Sequence, residues 1–234
     1  GEVVLVPASG RMKDFLPQEI ASLPGVRYAI TANGAGVYDL ETGQAVWQCL
    51  IPNEKARQVQ ALLSEYDIFV EYYDGGRAIT RRGDPERAVA HFGIPESKLH
   101  FLTKTTAWRR NWGRRWRQRA SSRKNQPAYI PSRGHAPGAV AAFGWAGRLA
   151  VTSSIPDNLE INAAGADKGA ALQALAGRLG IPQAGVMALG DNGNDVTMLR
   201  YAGVSVCMGD GSEEAKAAAK YLTGPTRRTA WPRL

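Results

Sequence analysis

The sequence predicts an α/β protein: a parallel sheet covered by helices on both faces, interrupted by a second, inserted α/β unit. Three observations predict it. The last third alternates short apolar runs with stretches of helical length, and strands alternating with helices make parallel sheets. Polar, Gly-containing turns stand directly after several of these apolar runs, where such sheets bind ligands. The middle of the chain shifts sharply in charge, and the inserted unit falls there, between about residues 35 and 158.

In order along the chain, residues 3–8 (VVLVPA) form an apolar run too short for a helix and read as a buried strand. Ser9-Gly10-Arg11 makes a turn, and 13–22 reads as a short helix. Residues 28–31 form a strand ending at Asn33-Gly34-Ala35. A hairpin pairs 37–39 with 45–47 across a Glu-Thr-Gly turn. Residues 53–65 are helical, with Ala56, Val59, Leu62 and Leu63 at helical spacing. Strands at 67–73 and 78–81 and a helix over 85–92 follow. The last third reads as strand 159–162, helix 167–179 stopped by Gly180, strand 186–189, helix 195–201, strand 204–208, helix 213–220 and strand 221–223.

Composition bounds the function classes. No apolar run approaches the ~20 residues that cross a bilayer, and Gly1–Leu5 lacks the basic start and long apolar stretch of a signal peptide, so no membrane partner is expected. Cys49 and Cys207 match no metal spacing and read as buried free thiols, which fits a cytoplasmic location. The net charge of +8 is local: residues 97–156 hold 12 of the 29 Lys and Arg and no acid. The remainder has 17 basic against 21 acidic residues, a net −4, which is no nucleic-acid footprint.

Three turns carry chemistry. Gly190-Asp191-Asn192-Gly193-Asn194-Asp195 sits between a strand and a helix, and two carboxylates four residues apart suit a hard cation such as Mg²⁺. Its alternative reading is a loop whose Asp195 only caps the helix. Asp167-Lys168-Gly169 opens the Ala/Leu helix. Asp167 is a natural N-cap, whereas a cation at Lys168 opposes the helix dipole and could hold a phosphate or a carboxylate, or be an ordinary exposed lysine. Pro7-Ala8-Ser9-Gly10-Arg11 offers a hydroxyl and free backbone N–H groups to phosphoryl oxygens, although Ser-Gly is also plain turn chemistry.

In this order and at these strand ends, the three turns resemble the haloacid dehalogenase (HAD) superfamily, in particular the Cof-type phosphatases of subfamily IIB. Ser9-Gly10-Arg11 matches the family's second motif, Ile30 to Ala35 the passage into the cap, Lys168 the third motif, and Asp191, Asn194 and Asp195 the fourth. The resemblance covers roughly residues 3–100 and 149–223. It implies a Rossmann-like core of residues 1–34 and 159–234 and an inserted α/β cap of type C2B over 35–158. It implies Mg²⁺ held by Asp191 and Asp195. Ser9 and Lys168 would act in catalysis, and Ser9, Gly10, Arg11, Asn33, Lys168 and Asn194 would grip the phosphate of a small phosphorylated metabolite such as a sugar phosphate.

The pattern also departs from the family. Its first motif, a D-x-D strand whose first Asp attacks phosphorus, has no match, since only Gly1 and Glu2 precede the strand of the second motif. The implied missing unit is on the order of 30 residues. Phosphomonoester hydrolysis needs enhancements reaching about 10²¹-fold, and a cation and a lysine do not replace a covalent nucleophile. The chain is therefore expected to show no phosphatase turnover. Residues 104–148 depart as well. Trp108, Trp112 and Trp116 interleave with Arg109, Arg110, Arg114, Arg115 and Arg117. Back-translated and regrouped by one base, Thr105–Trp112 gives D-Y-G-L-A-E-E-L, and Arg228–Pro232 gives E-D-G-V-A, the family's usual ending. The stretches 104–148 and 224–234 are accordingly read as out of frame, with the cap disrupted over 104–148. Two other functions stand beside the hydrolase: a non-catalytic protein binding Mg²⁺ or a phospho-ligand, and a nucleic-acid binder using the basic cluster of 109–124.

Overall fold

The computed structural model describes residues 3–63, 69–74, 77–80, 87, 89–91, 126–128, 149–152 and 160–225. Half of the expected helix over 85–92, the Arg/Trp cluster and nearly all of the two stretches read as out of frame lie outside the described residues. The chain divides into two compact units. The first comprises residues 1–10, 23–48 and 166–234, and the second 11–22 and 49–165.

The first unit holds strands β1 (Tyr28–Thr31), β2 (Gly36–Asp39) and β3 (Ala45–Gln48), joined as antiparallel neighbours. Residues 3–8 run parallel alongside β1, bridging Leu5 to Val26 and Ala8 to Ile30. The hairpin β2–β3 falls in this unit, where β2 pairs with β1.

Helix α3 (Lys168–Leu179) follows. Its start is fixed by Asp167, whose carboxylate accepts the Ala170 N–H at 2.9 Å, and its end by Gly180 in the left-handed conformation at φ 69°. Strand β9 (Met187–Gly190), helix α4 (Val196–Tyr201), strand β10 (Val204–Cys207), helix α5 (Glu213–Ala218) and strand β11 (Tyr221–Leu222) complete the unit. Strands β9, β10 and β11 pair in parallel.

Helix α3 serves two cores at once. Ala171 and Leu175 pack with Tyr28, Ile30 and Val37 of the antiparallel sheet. Ala176 packs with Val186, Ala188 and Cys207 on the side of the parallel one, together with Met198 and Leu199. Each such Leu or Ile contributes roughly 1.5–3 kcal/mol when taken out of water. Among the described residues the first unit thus holds the expected parallel sheet as β9–β11, beside a separate three-stranded antiparallel sheet.

Residues 3–8 also differ from the expected buried strand. Val3 is 76% exposed, and Val4 and Leu5 are exposed too. The reason is one-sided pairing, since among the described residues the backbone bonds of this segment go to β1 and to the residues leading into it, on one side.

The second unit contains a one-turn 3₁₀ helix at Lys13–Phe15 and the short helix α1 (Gln18–Ala21), where a single helix over 13–22 was expected. Pro17 breaks it: the residue before a proline avoids helical geometry, and Leu16 is extended at φ −63°, ψ 131°. Helix α2 (Asn53–Leu63) buries Ala56, Val59 and Leu63, which fall on one face. Strand β4 (Glu71–Asp74) lies between β5 (Arg77–Thr80) and β6 (Gln126–Ala128), both antiparallel to it. Strands β7 (Leu149–Thr152) and β8 (Glu160–Ala163) form an antiparallel pair. Among the described residues no helix is long and apolar enough to cross a membrane.

Candidate functional site

The candidate site lies at one edge of the first unit, where several chain ends meet. Ser9 follows the segment 3–8; its backbone N–H donates to the Ile30 carbonyl, and its carbonyl accepts the Asn33 N–H. Asn33 is half-buried in a tight turn after β1, with left-handed backbone at φ 53°. Gly34, at φ 92°, lets this turn touch the start of α3: a Cβ there would sit 2.1 Å from the Asp167 carbonyl oxygen. Asn194 then donates its side-chain amide to Asn33 Oδ1 at 3.0 Å. The turns after β1 and β9 are thereby tied together. Gly10 packs against the Asn33 side chain. Arg11 is exposed and belongs to the second unit.

Lys168 and Asp195 form the centre. The Lys168 ammonium lies 2.5 Å from Asp195 Oδ1, and the two side chains are only 6% and 5% exposed. This settles what the sequence left open about Lys168: it is a buried ion-pair partner. Asp195 Oδ2 accepts the backbone N–H groups of Asp191 at 2.9 Å and Asn192 at 3.1 Å. Asp195 therefore does cap the turn, in a capping box with Asn192, and anchors the lysine as well. Gly190 makes the arrangement possible, because a Cβ there would fall 2.6 Å from Asp195 Cβ.

The electrostatics separate the two aspartates. Burial alone would raise the Asp195 carboxyl; the Lys168 ammonium and the backbone N–H of Asp191 outweigh it and hold the carboxyl below its ordinary value. Asp191 moves the other way. Partial burial pushes it up, and the nearby carboxylates of Asp195 and Asp210 add to the rise, against the pull of Lys168. Negative charge thus accumulates around Asp191.

Asp191 accepts a weak hydrogen bond from Asn192 at 3.3 Å and stays exposed. Among the described residues no three His, Cys, Asp or Glu side chains gather into a metal-holding group. This donor set does not make an all-protein cage. It fits a hydrated Mg²⁺, which takes one or two carboxylates and fills its remaining positions with water and phosphate oxygens.

Two contributors escaped the sequence reading. Asp210 stands in the Gly209-Asp210-Gly211 turn after β10, and Ser212 N–H binds the Asp191 carbonyl at 2.7 Å, drawing that turn to the site. A second Asp-Gly turn at the same strand edge was the available signal. Thr197 accepts the Gly169 N–H at 3.0 Å and pins the first turn of α3 to α4. A threonine inside a helical run carries no mark of that role.

The family profile of haloacid dehalogenase-like hydrolases matches residues 2–230. The chain belongs to this family. HAD-like relatives of known structure have the same fold. The chain superimposes with a TM-score of 0.73 on the subclass IIB sugar phosphatase BT4131, at 21% identity, covering 97% of this chain and 82% of that one. A haloacid dehalogenase-like hydrolase from Bacteroides thetaiotaomicron gives 0.74 at 24% identity, covering 97% and 83%.

Among curated HAD relatives, the 5-amino-6-(5-phospho-D-ribitylamino)uracil phosphatase YcsE of Bacillus subtilis is 43% identical over 75 residues, 32% of this chain and 30% of that protein. The HMP-PP phosphatase of Cronobacter sakazakii is 46% identical over 66 residues, 28% of this chain and 24% of that protein. The matched stretches span under a third of each of these two proteins.

Proposed function

We propose that the site binds the phosphoryl group of a small phosphorylated metabolite together with Mg²⁺, as a HAD-type phosphomonoester hydrolase does. The observation that carries this reading is the buried Lys168–Asp195 pair set beside the exposed, charge-crowded Asp191 at a strand end. The curated relatives named as phosphatases of phosphorylated metabolites support the substrate class.

The residues divide the work. Ser9, with the backbone N–H groups of its Gly-containing turn, donates to phosphoryl oxygens, and Gly10 leaves that turn open. The Lys168 ammonium supplies a fixed positive charge. Asp195 spends one oxygen on that ammonium and the other on two backbone N–H groups, so it positions Lys168 and the Asp191 turn. Asn194 holds Asn33 and keeps the two turns in register around the anion. Asp191 is the principal carboxylate for Mg²⁺, with Asp195 behind it; the bound cation would neutralise charge on the phosphoryl oxygens. Arg11 remains a proposed phosphate contact on sequence grounds.

No carboxylate among the described residues is placed as a nucleophile, and residues 1–234 alone are proposed to bind phosphate without turning over. The test is calorimetry with Mg²⁺ and inorganic phosphate, beside a p-nitrophenyl phosphate assay. Saturable binding lost in Asp191→Ala, with no hydrolysis, is the expected result. Hydrolysis abolished by Asp191→Ala would overturn the binding-only reading, and no binding of either ion would overturn both. A nucleic-acid role has no support outside the basic stretch 97–156, because the rest of the chain is net acidic. Two free cysteines fit a cytoplasmic setting.

A further inference from the structure

Lys168 carries its charge at the end of a flexible four-carbon stem, and such a stem fixes an ammonium only if its own backbone is fixed. Asp195 holds the far end, with Nζ at 2.5 Å from Oδ1. A different group holds the root. Gly169, the next residue of α3, donates its backbone N–H to Thr197 Oγ1 at 3.0 Å. Consecutive residues of α3 are therefore bonded to Asp195 and Thr197, which flank Val196 at the start of α4.

Helix chemistry shows why the second bond matters. The first four N–H groups of a helix have no partner inside it. Asp167 accepts the Ala170 N–H and leaves that of Gly169, a buried residue, to another element. Thr197 supplies the acceptor from the neighbouring helix. The approach is close: a Cβ on Gly169 would fall 2.6 Å from the Thr197 carbonyl carbon and oxygen. Thr197 itself is exposed, so it fills no core, and threonine is a mediocre helix former. Neither packing nor propensity calls for a threonine here; the bond to Gly169 does.

We propose that Thr197 is a positioning residue for Lys168. Through the Gly169 N–H it fixes the start of α3 against α4 and so holds the ammonium on Asp195, where it can meet a phosphoryl oxygen. The phosphate part of this role rests on the phosphoryl-binding reading; the hold on the ion pair does not. The bonding also says what Thr197 leaves alone. Asp195 Oδ2 and the N–H groups of Asp191 and Asn192 are bonded to one another within a single turn. A shift of α3 moves the cation and spares that turn, so phosphate and Mg²⁺ respond differently.

Three variants of residues 1–234 separate the possibilities. Thr197→Val keeps the branched shape and removes the acceptor, Thr197→Ser keeps the hydroxyl, and Gly169→Ala forces the two helices apart with the threonine intact. The first measurement needs no ligand. Urea denaturation of Lys168→Met, Asp195→Asn and the double variant gives the coupling of the ion pair, in the unsubstituted and the substituted backgrounds. That coupling is expected to fall by about half or more with valine and to return with serine. The second measurement is calorimetry. Inorganic phosphate at saturating Mg²⁺ should bind about tenfold more weakly to Thr197→Val and Gly169→Ala, and near normally to Thr197→Ser. Mg²⁺ affinity should stay within about twofold in all three. If Gly169→Ala melts early, the two Thr197 variants decide. A threonine that only staples two helices predicts lower stability with the coupling intact. Unchanged coupling, equal losses with valine and serine, or a parallel loss of Mg²⁺ and phosphate each overturns the proposal. Phosphate binding absent already from the unsubstituted protein overturns the phosphoryl reading, and the coupling then decides the role of Thr197 by itself.

Discussion

Replacing Lys168 by methionine keeps most of the apolar stem and deletes the ammonium that lies 2.5 Å from Asp195. The remaining carboxylate is buried, so the cost is that of an uncompensated charge, about 3–5 kcal/mol when one partner of a buried pair is removed. Asp195 keeps two backbone N–H donors, at 2.9 and 3.1 Å, which puts the expected loss at the lower end, about 3 kcal/mol. Adding Asp195→Asn removes the stranded charge. The double variant should therefore lose less than the sum of the singles, with a coupling on the order of 1–3 kcal/mol.

Urea denaturation followed by circular dichroism measures all four proteins. The sign with pH is also fixed. The native Asp195 carboxyl sits below its ordinary value of 3.8, so its stabilisation is complete above that value and disappears as pH falls through the folded value. In Lys168→Met the anion loses its cation, and the penalty should shrink from pH 7 toward pH 5 as the carboxyl takes up a proton. A loss below about 1 kcal/mol with no pH dependence would refute the buried-pair argument.

Three other outcomes follow from the same physics. Asp191→Asn should abolish Mg²⁺ binding in calorimetry while shifting the thermal midpoint little or upward, because it removes a carboxylate crowded by Asp195 and Asp210; retained Mg²⁺ affinity would exclude Asp191 as the ligand. Gly34→Ala places a Cβ 2.1 Å from the Asp167 carbonyl at φ 92°, and urea titration should show a loss of about 2 kcal/mol or more together with weaker phosphate binding. Glu71, buried in β4 with Oε1 unbonded among the described residues, has its carboxyl pushed up by burial to about 7 from an ordinary 4.5. The folded state then holds the proton, so stability is full below 4.5 and falls as pH rises to about 7, by at most about 3 kcal/mol. Glu71→Gln should flatten that slope and stabilise the protein at pH 8; an unchanged difference between pH 5 and pH 8 would dismiss Glu71 as its source.

The local rules that sequence obeys were the ones most easily read. Asp167 and Gly180 bracket α3 as cap chemistry requires, and β1 and the β2–β3 hairpin fall close to where the apolar pattern puts them. The turn at 190–195 was recognisable because its glycine and carboxylates are dictated by geometry within a few residues. What could not be read depends on distant partners. Lys168 finds Asp195 across 27 residues, and Asn33 finds Asn194 across 161. The exposure of Val3 and Leu189 likewise follows from which edges are paired, and an apolar run is the same whether its neighbour is present or not. The break at Pro17 was legible and outweighed the helical reading of 13–22.

The position of α3 has a consequence for how the first unit comes apart. Its side chains belong to both cores, while the two sheets share no strand-to-strand pairing among the described residues. Cooperativity between the halves therefore passes mainly through this helix of 12 residues, beside the Asn33–Asn194 hydrogen bond. Amides of β1 and β9 should then become exchangeable in a single opening event that also releases α3, giving the unit one foldon in place of two.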